Sequence, residues 1–192
     1  MQKYNRAVID VKDLIYPLFV QAGTGIREEI PSLPDRHRFS PDTVIREARE
    51  ITRQGIRTVL LFGVPDKKDR NGSHAYKEDG AVAGAVRNLK RDLPDLIVMT
   101  DVCLCAYTSH GHCGILESQK SKIKNQKYGI DHDETLKVLA KIAVSHAQAG
   151  ADYVAPSAMA KAQVSAIRKA LDTHGFKSTK IMGYSAKFAS NF

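Results

Sequence analysis

The sequence predicts an α/β fold: a parallel (β/α) barrel of the TIM type, incomplete, with about five of the eight strand–helix units of a full barrel. Three observations carry this expectation. A unit of helix, glycine, short turn and buried strand recurs, with its glycine at Gly55, Gly150 and Gly175. The strands read as near-continuous apolar runs, such as Thr58-Val59-Leu60-Leu61-Phe62, the pattern of parallel strands covered on both faces. Reactive groups fall just after strands, which is where a barrel gathers its chemistry: Asp101 and three cysteines after the third, Ser157 after the fourth, Lys187 after the fifth. An open doubly wound sheet is the alternative. No G-x-G-x-x-G follows the first strand, so a dinucleotide-binding version of it has no support.

Residues 14–20 form the first apolar run, and Pro17 within it requires a strand position whose N–H is not needed. A loop rich in proline and glycine follows. Ser40-Pro41 reads as a cap with proline at the first helical position; Val44, Ala48 and Ile51 mark one helical face, and Gly55 ends the helix. The second strand, residues 58–62, runs into Gly63-Val64-Pro65, and polar residues 66–77 read as loop. Val82, Ala85, Val86 and Leu89 define a second helix that stops before Pro94, and residues 96–101 a third strand. The stretch 117–127, with Lys120, Lys122, Lys124 and Lys127, reads as a solvated excursion. A helix over residues 134–148 precedes a strand at Tyr153-Val154-Ala155. A helix over 161–173 precedes a fifth strand at 181–185. The chain divides into a short amino-terminal arm, 1–12, and a partial barrel, 13–192.

At 192 residues and 43% hydrophobic content the chain suffices for one domain with a core. No apolar run spans a bilayer and no signal-peptide pattern opens the sequence, so no membrane association and a cytoplasmic location are expected. The net charge of +8 is dispersed, aromatics are sparse and tryptophan is absent, which describes a solvated basic surface rather than a nucleic-acid interface.

All three cysteines, Cys103, Cys105 and Cys113, lie in one stretch, T-D-V-C-L-C-A-Y-T-S-H-G-H-C-G-I at residues 100–115, with His110 and His112 beside the last. Three cysteines cannot all pair. Thiolates and imidazoles suit zinc, and three protein ligands with a fourth position open is the pattern of a catalytic site. The plain alternative is three free thiols in a loop. Lys187 follows a buried strand and is flanked by Ser185-Ala186 and Phe188-Ala189. Desolvation there would lower its pKa and free the amine to form a Schiff base with a carbonyl; the alternative is a surface lysine.

Longer motifs join these features. The chain has D-L-I-Y-P-L-F-V at 13–20, E-E-I-P-S-L-P at 28–34 and L-L-F-G-V-P at 60–65. It then has the cysteine stretch, S-H-A-Q-A-G-A-D-Y-V-A-P-S at 145–157, and Y-S-A-K-F-A-S at 184–190. In these it resembles the zinc-dependent porphobilinogen synthase (5-aminolevulinate dehydratase) family, from about residue 13 to the last. The resemblance implies a lyase of haem (tetrapyrrole) biosynthesis that condenses two 5-aminolevulinate molecules to porphobilinogen with loss of water. It implies Zn2+ on Cys103, Cys105 and Cys113, and Lys187 as the first Schiff-base lysine. Asp101 would be the carboxylate that moves a proton, Ser157 and Tyr184 would bind substrate, and His112 would support the metal ligands as a donor or accessory ligand. It also implies a homo-oligomer, an octamer in the family. For His110, His146 and His174 a structural role is expected.

The departures are specific. The family's second Schiff-base lysine, its arginine-bearing lid and its carboxylate-gripping strands lie on later segments, outside these 192 residues, so the resemblance implies the amino-terminal part of the enzyme. The family's P-S-D-M-M-D-G-R is here Pro156-Ser157-Ala158-Met159-Ala160-Lys161-Ala162-Gln163. Both acids and the arginine are replaced. The alternative reading is a non-catalytic zinc-binding or subunit-interaction paralogue.

Overall fold

The computed structural model describes residues 9–117 and 129–188. The lysine-rich stretch from Lys120 to Lys127, most of the amino-terminal arm and the carboxyl-terminal residues 189–192 lie outside them. In chain order the elements are β1 (Ile15–Gln21), β2 (Arg27–Glu29), β3 (His37–Phe39), α1 (Val44–Arg53), β4 (Thr58–Val64), α2 (Ala81–Asp92) and β5 (Ile97–Val102). There follow β6 (Ile115–Leu116), β7 (Ile130–Asp131), α3 (His132–Gln148), β8 (Tyr153–Pro156), α4 (Gln163–Thr173) and β9 (Lys180–Ile181). One sheet runs β2-β3-β1-β4-β5-β8-β9, and its β1, β4, β5, β8 and β9 are all parallel.

The sheet is a partial barrel because its two faces differ, and strand alternation separates them. On β4, Val59 and Leu61 join Leu18, Val44, Ala48, Val86 and Leu89 in a core beneath α1 and α2. Further along, Val154 packs with Leu139, Ile142, Ile167 and Leu171 beneath α3 and α4. Leu60, Met99 and Ala155 point the other way, with Phe62, Tyr153 and Met182, onto the inner face. Helices therefore cover one face only, as in a barrel wall. None of the helices among the described residues is long and apolar enough to cross a membrane.

The recurring glycines end helices by one device. After α3, Gly150 takes φ +106, its N–H bonds the Ala147 carbonyl at 2.9 Å, and Ala151 N–H bonds the His146 carbonyl at 3.1 Å. Such a left-handed closure favours glycine, and it turns the chain directly into β8. Gly55 and Gly175 repeat it before β4 and β9.

The structure corrects several expectations. The loop after β1 contains the antiparallel pair β2–β3, and β3 extends the sheet alongside β1. These strands have three residues each and are mostly charged, so they lack a readable apolar alternation. Pro41 does not open α1. Ser40 and Thr43 bind the hairpin instead, through Ile26 N–H to Ser40 Oγ (2.9 Å) and Thr43 Oγ1 to the Ile26 carbonyl, and the helix begins at Val44. The polar loop holds a 3-10 turn, Ser73–Tyr76. The fifth strand is shorter than 181–185: β9 ends at Ile181, although Met182 N–H still bonds the Val154 carbonyl at 3.0 Å. A 3-10 turn, Val11–Asp13, precedes β1, and its Val11 lies against Gly55.

Candidate active site

Three neighbouring parallel strands deliver the site. β5 ends in Asp101-Val102 and leads into Cys103, β8 leads into Ser157, and the segment after β9 carries Tyr184 and Lys187. Asp101 pairs in register with Ala155, so Ser157, two residues on, falls on the same face. Ser157 Oγ donates to Asp101 Oδ1 at 2.5 Å. Burial pushes the Asp101 carboxyl up to about 7; the Ser157 hydrogen bond opposes this, Cys103 adds to the rise and Lys187 works against it.

The cysteine loop folds back on itself. Buried Leu104 anchors it, and the N–H groups of Tyr107 and Thr108 bond the Leu104 carbonyl at 2.9 and 3.0 Å. Thr108 Oγ1 donates to the His112 carbonyl at 3.0 Å, which returns Cys113 to the start of the loop. The three sulfurs lie within 4.8 Å of one another, with Cys103 and Cys105 3.4 Å apart. Tetrahedral zinc at about 2.3 Å from each sulfur would space them by about 3.8 Å, so the triad fits such an ion with one position open. Three sulfur donors also match zinc in softness.

Three adjacent thiols resist full ionisation unaided. Hydrogen bonds from Cys103 and Cys105, then Lys187, pull Cys113 far below the usual thiol range, and the contacts with Cys103 and Cys113 push Cys105 far above it. The cluster holds its first negative charge readily and opposes the next, and a divalent cation would offset that opposition.

Lys187 Nζ donates to Cys113 Sγ at 3.1 Å and to Cys103 Sγ at 3.6 Å. Burial pulls its pKa down, but the Cys113 hydrogen bond and the charges of the three cysteines push it above the ordinary lysine value. Lys187 is exposed and stands six residues past the end of β9, not directly after a buried strand, so charge rather than an apolar pocket governs this amine. Tyr184 is 41% exposed, and its hydroxyl is pushed up by burial and then by Asp101, in whose field it lies.

His112 stands apart from the metal-capable group, which among the described residues consists of the three cysteines. Its ring is exposed and packs against His110, with centroids 5.4 Å apart. A cavity of about 250 Å³ opens beside Cys113, bounded by His132, Thr135, Met159 and Ala160. It borders the stretch in which acids are replaced. His146 is buried, and neither ring nitrogen reaches a hydrogen-bond partner among the described residues. The polar loop before α2 contributes a residue that sequence reasoning passed over: Asp69 bonds the cysteine loop through its backbone. Its signal was the D-x-N-G-S spacing of Asp69, Asn71 and Ser73, which suits a side-chain-closed turn.

A family model described as delta-aminolevulinic acid dehydratase matches residues 2–192. A protein of that description from Methanothermus sociabilis is 51% identical over 180 residues, 94% of this chain and 53% of the relative. Another, from Ruminiclostridium josui, is 44% identical over 184 residues, 96% of this chain and 85% of the relative. A delta-aminolevulinic acid dehydratase (porphobilinogen synthase) from Toxoplasma gondii, solved with its reaction product porphobilinogen, superposes with a TM-score of 0.85 at 38% identity. That match covers 96% of this chain and 51% of the other. The chain spans about half the length of most of the curated relatives it matches, 53% and 56% of the first two.

Proposed function

Because the chain belongs to the delta-aminolevulinic acid dehydratase family, we propose that it carries the metal-binding and first-lysine half of a porphobilinogen synthase site. That site joins two 5-aminolevulinate molecules into a pyrrole with loss of water. The observation that carries the reading is the convergence at one set of strand ends. Lys187 Nζ lies 3.1 Å from Cys113 Sγ, and Asp101 is held by Ser157 beside it.

In this reading the neutral Lys187 amine adds to the substrate ketone carbon. The carbinolamine then loses its hydroxyl as water and leaves a Schiff base. Asp101, near half-protonation at neutral pH, gives a proton to the departing hydroxyl and takes one from the nitrogen. Ser157 fixes the carboxyl's orientation, and Tyr184 presents a hydroxyl in the same field. Cys103, Cys105 and Cys113 would hold Zn2+, which when bound supplies Lewis acidity toward a substrate carbonyl or amine, or a water of low pKa. Drawing thiolate charge away from Lys187 would also lower the amine's pKa toward the range in which it is nucleophilic. His112 supports the metal loop through its backbone. Assembly into a homo-oligomer belongs to the same proposal.

A second reading, a metal-binding or subunit-interaction protein without catalysis, is favoured by one feature. Ala158, Lys161 and Gln163 stand where the resemblance calls for two acids and an arginine, in the stretch whose Met159 and Ala160 bound the cavity at Cys113. Elemental analysis of chelator-stripped, zinc-reloaded chain tests the metal shared by both readings. Near one equivalent per chain, falling sharply in Cys105→Ser, is expected; no uptake, or uptake indifferent to that substitution, overturns it.

A further inference from the structure

We infer that the turn from Asp69 to Ser73 is the positioning element of the thiolate cluster, with Asp69 and His110 as its two positioning residues. The inference rests on the metal-site reading above and adds to it the part of the chain that sets the sulfur spacing.

Cys105 and Cys113 are separated by seven residues of loop, and a loop of that length does not fix two sulfurs by itself. It is held from outside. Asp69 pairs with the loop as a short parallel bridge at Thr108: Asp69 N–H donates to the Tyr107 carbonyl at 3.3 Å, and Ser109 N–H donates to the Asp69 carbonyl at 2.9 Å. One residue on, the Arg70 carbonyl meets His110 Nε2 at 3.1 Å, and the Arg70 guanidinium donates to the Glu117 carbonyl at 2.8 Å. The turn thus grips the loop between the two cysteines and again past Cys113.

The turn is rigid for reasons of its own. The Asp69 carboxylate accepts from Asn71 N–H at 2.8 Å, from Ser73 N–H at 3.1 Å and from the Ser73 hydroxyl. These bonds, the Ser73 hydroxyl first, hold its pKa below the usual carboxylate range. Gly72 at φ +62 lies against the loop so closely that a Cβ would come within 2.7 Å of Leu104 Cδ2.

His110 transmits the grip. A carbonyl can only accept, so His110 Nε2 must donate to Arg70; His112 N–H donates to Nδ1 at 3.2 Å, so Nδ1 must accept. The two partners together require the neutral Nε2–H tautomer and tie the turn to the residue preceding Cys113. Groups that orient metal ligands in this way typically govern affinity about 10- to 100-fold.

The test titrates the chelator-stripped chain with cobalt(II), a spectroscopically visible stand-in for zinc, and reads thiolate-to-metal charge-transfer and visible ligand-field bands. The original chain should give a tetrahedral thiolate spectrum. Asp69→Ala should bind about 10- to 100-fold more weakly with altered ligand-field bands. Asp69→Asn, which keeps the acceptor, should restore both. Original affinity and band shape in Asp69→Ala would overturn the inference. If Asp69→Ala does not fold, His110→Ala carries the test: the same loss is expected, and an unchanged spectrum and affinity overturn it. No thiolate bands in the original chain would overturn the metal reading and this inference with it, which separates that failure from the failure of the clamp alone.

Discussion

Ser157 Oγ sits 2.5 Å from Asp101 Oδ1 across the β5–β8 pairing, although 56 residues separate the two in the chain. Among the groups acting on Asp101, this hydroxyl is the largest opposing the upward pull of burial. Ser157→Ala should therefore push the Asp101 pKa above its value of about 7 and destabilise the chain by about 1–3 kcal/mol, the usual result of leaving a buried polar group without its partner. Urea unfolding measures the stability, and carboxyl-carbon NMR titration measures the pKa. An unchanged pKa would mean that the hydrogen bond does not govern the carboxyl.

Ala162, the residue just before α4, has φ +63 where the resemblance places glycine. A left-handed conformation costs a residue with a Cβ about 1–2 kcal/mol, part of which glycine returns through its greater freedom when unfolded. Ala162→Gly should stabilise the chain by about 1 kcal/mol and raise its melting temperature by about 2–4 °C. A fall in melting temperature would show that the turn is not strained at this position.

His146 gives the chain a defined acid sensitivity. Burial lowers its pKa from 6.5 to about 4. Between those values the unfolded chain binds the proton and the folded chain does not, so stability rises with pH. The contribution is complete above about 6.5 and is lost as pH falls toward 4. From pH 7 to pH 5 it amounts to about 2 kcal/mol. Urea unfolding of the original chain and of His146→Leu at the two pH values should show a pH dependence smaller by about that amount in the variant. Equal dependence in both would mean that His146 titrates normally in the fold.

What could be read from sequence follows from how local the signal is. The apolar strands β1, β4, β5 and β8 and the four helices are legible because each carries its own apolar pattern, with a glycine closing α1, α3 and α4 and Pro94 following α2. The hairpin β2–β3 is not, since its strands, such as Arg27–Glu29, are exposed and charged, and their pairing is dictated by the edge of β1. The short pair β6–β7 is likewise set by Ile115 and Leu116 meeting Asp131 and Ile130 rather than by local pattern. The strand ends place Asp101, Ser157, Lys187 and the thiols on one rim. Their distances depend on sheet register, which adjacent residues do not encode. His110 carried no sequence signal for its role, because its partners, the Arg70 carbonyl and the His112 N–H, are backbone groups.

The central claim is that Lys187 is the amine of a half-site that captures one substrate and cannot complete the pyrrole by itself. Joining two substrates requires both to be held in reacting geometry, and positioning accounts for roughly 7–11 kcal/mol of such barriers. The zinc-reloaded chain should be reduced with borohydride in the presence of 5-aminolevulinate, weighed by intact mass and run beside a colorimetric porphobilinogen assay. One adduct per chain, absent in Lys187→Ala, with no pyrrole formed, is the expected result. No adduct, or an adduct that survives Lys187→Ala, would contradict the claim about Lys187. Normal pyrrole formation would contradict the claim that the half-site is incomplete.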